Sequence, residues 1–161
     1  MIMKQGKKKQ IAVLAAVSLM LMFTAGCGDQ TPDPLDVYCE EMDAFYTEVG
    51  EIDGLINGID PDSPDATEEF LTQMDRLDAL FTEMSGVEIP EEFETMEDLP
   101  AEAADYMTKA VAAFHDAYDG DFDENAESLA RQYYDRANIR IRYMLAILHD
   151  DADMISEEGA E

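Results

Sequence analysis

The stretch from Leu35 to Ile59, LDVYCEEMDAFYTEVGEIDGLINGI, decides how the rest of the chain is read. Its apolar residues Leu35, Tyr38, Met42, Phe45, Val49, Ile52, Ile56 and Ile59 recur in steps of 3-4-3-4-3-4-3. A helix places residues three and four apart on one face, so this spacing predicts an amphipathic helix with one continuous apolar stripe. Asp60-Pro61 ends it, because the residue before a proline is pushed out of the α region. Gly50, Gly54 and Gly58 recur every four residues on the side away from the stripe. Each costs about 1 kcal/mol relative to Ala in a helix interior. Propensity alone therefore predicts a helix that loosens after Gly50. The other reading of the ridge is a close-approaching partner.

Three more helical patterns follow. Ser63-Pro64, a capping residue before a proline suited to the first helical position, opens the second. Its stripe is Phe70, Met74, Leu77, Phe81 and Met84, and Gly86 stops it. A link from Val87 to Leu99 carries Pro90, many acids and the spaced apolar residues Ile89, Phe93, Met96 and Leu99. It is expected to hold a helical turn and to pack on the domain. The third helix begins near Pro100, with Ala103, Met107, Ala110, Phe114 and Ala117 on its stripe and Gly120 at its end. Its small residues let a neighbouring helix approach closely. The fourth runs from about Glu124 to Asp151, with Ala130, Tyr133, Ala137, Ile141, Met144 and Leu148 on one face. Ile139, Tyr143 and Leu145 lie off that face, which predicts the most buried of the four.

No strand-like alternation competes. The expected fold is all-α, a four-helix bundle with up-down-up-down order, the two helical hairpins being joined by residues 87–99. Met42, Met74, Met84, Met96, Met107 and Met144 are dispersed over the stripes and the link, as core-filling residues are and a copper motif is not.

The first thirty residues read differently. Lys4, Lys7, Lys8 and Lys9 precede an uncharged run from Ile11 to Phe23, and Thr24-Ala25-Gly26-Cys27 follows. A basic start, a short apolar run and a small-residue exit describe a secretory signal. Thirteen helical residues span about 20 Å, short of the roughly 30 Å of a bilayer core. Ala25-Gly26-Cys27 resembles the lipobox of bacterial lipoproteins, although Thr24 stands where that class usually has an aliphatic residue. The resemblance covers residues 1–27 only. It implies that the Cys27 thiol takes a diacylglyceryl group, that the signal is cut before Cys27 and that the new N-terminus is acylated. Cys39 is then left unpaired and the mature domain has no internal disulfide. The implied organisation is a signal peptide over 1–26, a lipid-anchored tether over 27–34, a helical bundle over 35–153 and an acidic tail over 154–161.

All 38 acidic residues lie after Cys27 and only six of the ten basic ones do, which leaves the mature chain at −32. Phosphate binding needs clustered Lys and Arg, so nucleic acid is not an expected partner. Anionic lipid headgroups are disfavoured for the same reason. Membrane residence then falls to acyl chains, each buried CH₂ contributing about 0.8 kcal/mol. The expected place is the extracytoplasmic face of the cell membrane.

Few residues offer chemistry. His115 and His149 lie near the ends of helices three and four, separated by about 33 Å in antiparallel neighbours. They cannot share a metal, and neither has a Glu three residues earlier, as ferritin-like di-iron bundles require. The turn Asp119-Gly120-Asp121-Phe122-Asp123-Glu124-Asn125 is the best cation candidate, through Asp119, Asp121 and Asp123. It departs from an EF-hand loop at its sixth position, Glu124, and its twelfth, Ala130. Helix-capping acids account for the same pattern. Asp60, Asp62 and Asp65 form a similar set. Arg131, Arg136, Arg140 and Arg142 sit on helix four and are expected to pair with acids of neighbouring helices, an anion pocket being the alternative. No nucleophile elbow, zinc protease motif or phosphate-binding loop is present. The expectation is a non-enzymatic binding or structural module of the envelope without a cofactor, its partners being the membrane through Cys27 and an envelope protein. An extracytoplasmic divalent-cation binder is the second reading.

Overall fold

The structure, a computed structural model, describes residues 32–149. Cys27, the leader before it and the tail after it lie outside the described residues. Four long helices carry the fold: α1 Pro34–Asn57, α2 Ala66–Met84, α3 Leu99–Tyr118 and α4 Glu124–Leu148. A short 3₁₀ helix, Glu91–Met96, lies in the link between α2 and α3. No strand occurs among the described residues. The architecture is all-helical, as the periodicity predicts, and compatible with a helical bundle.

Local chemistry explains the ends. Asp33 caps α1, its carboxylate accepting the Leu35 N–H at 3.1 Å, and Pro34 takes the first turn, where its missing N–H costs nothing. Of the expected tether only Pro32 and Asp33 are described and precede the helix. At the other end α1 stops at Gly58, whose N–H bonds back to the Gly54 and Leu55 carbonyls. The chain is helical through Gly50 and Gly54, so the expected loosening does not occur. Among the described residues nothing of the chain itself closes on that ridge: a β-carbon added at either position would meet nothing within 4 Å. Ile52 inside the core and Ile56 at its edge hold this part of the helix by burial, which outweighs the propensity cost.

α2 begins two residues later than Ser63-Pro64 suggests. The Ser63 hydroxyl accepts from Asp65 N–H and its carbonyl from Ala66 N–H, closing a turn ahead of the helix. The first regular helical bond runs from Glu69 N–H to the Asp65 carbonyl. Asp123 caps α4 with two bonds, from Asn125 N–H at 2.9 Å and Ala126 N–H at 3.2 Å.

The core takes one stripe from each helix. Tyr38, Met42, Phe45 and Ile52 come from α1, and Leu71, Met74, Leu77, Phe81 and Met84 from α2. Met96 anchors the link, and all six methionines of the stripes and link are buried. α3, not α4, is the most buried helix, with nine buried residues in twenty against five in twenty-five. Ile139, Tyr143 and Leu145 on α4, which predict deeper burial, are half-buried. α3 lies between α2 and α4, and its alanines let both close over it.

Successive helices are joined by specific contacts. Phe45 meets Phe81 edge to face at 5.3 Å, and Arg76 faces Glu48 at 3.9 Å between α1 and α2. Phe70 meets Phe114 edge to face at 5.1 Å, and Thr108 donates to Asp78 at 2.6 Å between α2 and α3. Arg140 donates to Glu102 at 3.0 Å and Tyr106 stacks on Tyr133 between α3 and α4. The Tyr46 hydroxyl donates to the Ile141 carbonyl at 2.8 Å, tying α1 to α4.

Candidate functional site

Three features could carry recognition or regulation. The first is a groove of about 770 Å³ beside the start of α1. Val37, Tyr38, Val87 and Ile89 supply apolar lining, and Asp33, Glu41, Glu83, Glu88, Glu91 and Glu92 surround it with carboxylates. Tyr38 is 1% exposed, stacks obliquely on Phe93 at 5.6 Å, and its hydroxyl has no hydrogen-bond partner. Burial pushes the Tyr38 phenol up to about 12, so it is neutral at physiological pH. The sequence marks Tyr38 and Ile89 as apolar packing residues but gives no sign of a groove between them. In a chain so rich in acids, six more carboxylates give no local signal, and the groove forms only when the link folds back beside α1.

The second feature gathers positive charge on α3 and α4. Arg140 lies 4.7 Å from the centre of the Tyr106 ring, Lys109 5.5 Å and Arg136 5.6 Å. A ring face attracts cations through its quadrupole, so one tyrosine organises three of the six basic residues that follow Cys27 in the sequence. Arg140 pairs with Glu102 on α3, as expected of the α4 arginines. Arg131 pairs instead with Glu127 one turn earlier on its own helix. Arg142 is exposed.

The third feature is His115, near the end of α3. Its Nε2 lies 2.9 Å from Asp75 Oδ1 on α2, and its Nδ1 lies 2.9 Å from Asp119 Oδ2 just beyond its own helix. The bond to Asp75, then that to Asp119, hold its pKa above the usual imidazole range, against a smaller opposing effect of burial. His149 follows α4 and is exposed, its backbone N–H bonding to the Leu145 carbonyl.

The acidic turns have identifiable roles. Asp119 serves His115 and Asp123 caps α4, while Asp121 is exposed between them. Asp60 accepts the Asp62 N–H within its own turn. Among the described residues, no three His, Cys, Asp or Glu side chains are gathered so as to hold a metal ion. Cys39 is a half-buried free thiol. Cys27 lies outside the described residues, and none of the described helices is long and apolar enough to cross a membrane.

Compared with known protein families, curated proteins and solved structures, the chain matches none of them.

Proposed function

We propose that this chain is a lipid-anchored, non-enzymatic binding module on the extracytoplasmic face of the cell membrane. The observation that carries the reading is the order of the N-terminal sequence: four lysines, an uncharged run, then Thr24-Ala25-Gly26-Cys27. Lipid on Cys27 accounts for membrane residence in a mature chain whose charge of −32 disfavours anionic headgroups. The helices run up-down-up-down in this reading. Support comes from contact order: Phe45 pairs with Phe81 and the earlier Tyr38 borders the same groove as the later Val87. Likewise Tyr46 reaches Ile141 while the later Asp53 acts on the earlier Tyr134.

A binding role is favoured over catalysis because the groove offers surface and carboxylates but no nucleophile paired with a base. The envelope partner belongs to the same proposal. The cation-binding alternative has less support, since Asp119 and Asp123 already serve His115 and the α4 cap.

Mass spectrometry of the membrane fraction tests the anchor. The expected product is a chain beginning at an acylated Cys27, and Cys27→Ser abolishes the acylation. An intact precursor, or an unlipidated chain released to the medium, overturns the reading.

A further inference from the structure

We propose that His115 is a pH-operated clip between α2 and α3, closed when its imidazole is protonated and open on one side when it is neutral. Both ring nitrogens lie 2.9 Å from carboxylate oxygens, Nε2 from Asp75 and Nδ1 from Asp119. An ionised carboxylate only accepts, so two such bonds require two N–H groups, which only the imidazolium has. The neutral ring keeps one N–H and turns a lone pair toward the other carboxylate. Whichever tautomer forms, one link becomes a repulsion.

The two links do different things. Asp119 is four residues along the same chain and fastens the end of α3 to itself. Asp75 is forty residues away on α2, so its bond crosses the seam between the helices. The charged groups that act on the ring are Asp75 from α2 and Asp119 at the end of α3, and none from α1 or α4 contributes. With a side chain one-third exposed, His115 exchanges protons with solvent without unfolding.

The neighbouring seams lack this property. Arg76 faces Glu48 between α1 and α2, and Arg140 holds Glu102 between α3 and α4. Arginine does not lose its proton in the accessible range. Of these three cross-helix ion pairs, the one at the α2–α3 seam is therefore the one that responds near neutral pH. The sign follows from a folded-state pKa raised above about 6.5. The link's contribution is complete below the unfolded value and is lost as pH rises through the folded one. Acidification closes the clip, and neutral to alkaline pH opens it.

The chain's two histidines make the test simple. Long-range nitrogen–proton NMR of the lipidated chain in detergent, taken between pH 5 and 9, reads each ring nitrogen separately. His115 is expected to hold both protons above the ordinary imidazole midpoint of about 6.5, and Asp75→Asn to lower its midpoint toward that value. Amide exchange, corrected for intrinsic pH dependence, reads the seam. Protection around Asp75 and from Thr108 to Tyr118 should fall through the His115 midpoint in the parent and stay level in His115→Gln. A midpoint raised by one pH unit corresponds to about a tenfold loss. A His115 midpoint at or below about 6.5 overturns the proposal. So does a raised midpoint with unchanged seam protection, which would make His115 a charged surface residue and nothing more.

Discussion

The helix pairs α1–α2 and α3–α4 are packed by opposite means. Between α1 and α2 the core is filled with bulk: Phe45 and Phe81 edge to face, with Met42, Met74 and Met84 buried around them. α3 and α4 form the most extensive helix pair, and fully buried alanines recur along both, at Ala103, Ala110 and Ala117 and at Ala130 and Ala137. Each series has a seven-residue spacing, which returns a small side chain to the same face every two turns. One pair gains from volume that fills space and the other from volume that is absent. Burial in a bundle thus has two sources, transfer of large side chains out of water and close approach of backbones, and they fail in opposite ways.

Substitution separates them. Phe81→Ala removes a ring that is 0% exposed and should cost about 3–5 kcal/mol, measured by urea denaturation. That is a large part of the 5–15 kcal/mol typical of a whole domain. Ala110→Leu does the reverse, adding side chain where the residue is 0% exposed, and should cost about 1–3 kcal/mol through overpacking. A neutral Ala110→Leu, which would mean that α4 yields easily, breaks the comparison. A small effect of Phe81→Ala breaks it from the other side.

One of these helix pairs is easier to read in the sequence than the other. Large apolar residues at three- and four-residue steps announce a buried face, and the α1 and α2 stripes lie at or near the predicted positions. Alanine announces little, because it is common on exposed helix faces too. The seven-residue spacing was the available signal for α3, but the wider apolar circumference of α4 suggested the wrong helix as the most buried. Apolar breadth measures what a helix could bury, whereas burial depends on how many neighbours flank it. The same limit applies to the candidate sites. His115 is visible as a residue near a helix end, but its partner Asp75 lies forty positions earlier among many other acids. The capping role of Asp123 was legible because its partners, Asn125 and Ala126, are local.

Two tyrosines sharpen the comparison at the level of one hydroxyl. Both lie on the core face of α1, and burial raises the pKa of both. The Tyr46 hydroxyl donates to the Ile141 carbonyl, whereas that of Tyr38 has no partner. Tyr46→Phe should cost about 1 kcal/mol, the usual net value of one hydrogen bond. Tyr38→Phe should leave stability unchanged or raise it by about 1 kcal/mol, because it removes a buried polar group that gains nothing in return. The two single variants, compared by thermal melting under the same conditions, should therefore differ in sign or nearly so. A loss in Tyr38→Phe equal to that in Tyr46→Phe would show that the first hydroxyl is bonded in solution.

The smallest expected effect concerns the outer face of α1, where propensity predicted loosening and the helix continues. Gly50 and Gly54 are exposed, helical and without a neighbour within 4 Å of an added β-carbon. Alanine at either place restricts the unfolded chain without creating a clash, so each substitution should stabilise by about 0.4–1 kcal/mol. The two positions stand one helical turn apart, so the double variant compared with the two single ones reads any coupling between them. Destabilisation by either would mean that some group does occupy that ridge in solution, and an envelope partner would become the first candidate. The absence of such a penalty in the isolated domain, followed by weaker binding of the double variant to a captured partner, would place the partner on the glycine ridge instead of at the acidic groove. The cheapest pair of substitutions on the molecule thus tests both its helix propensity and the location of its binding face.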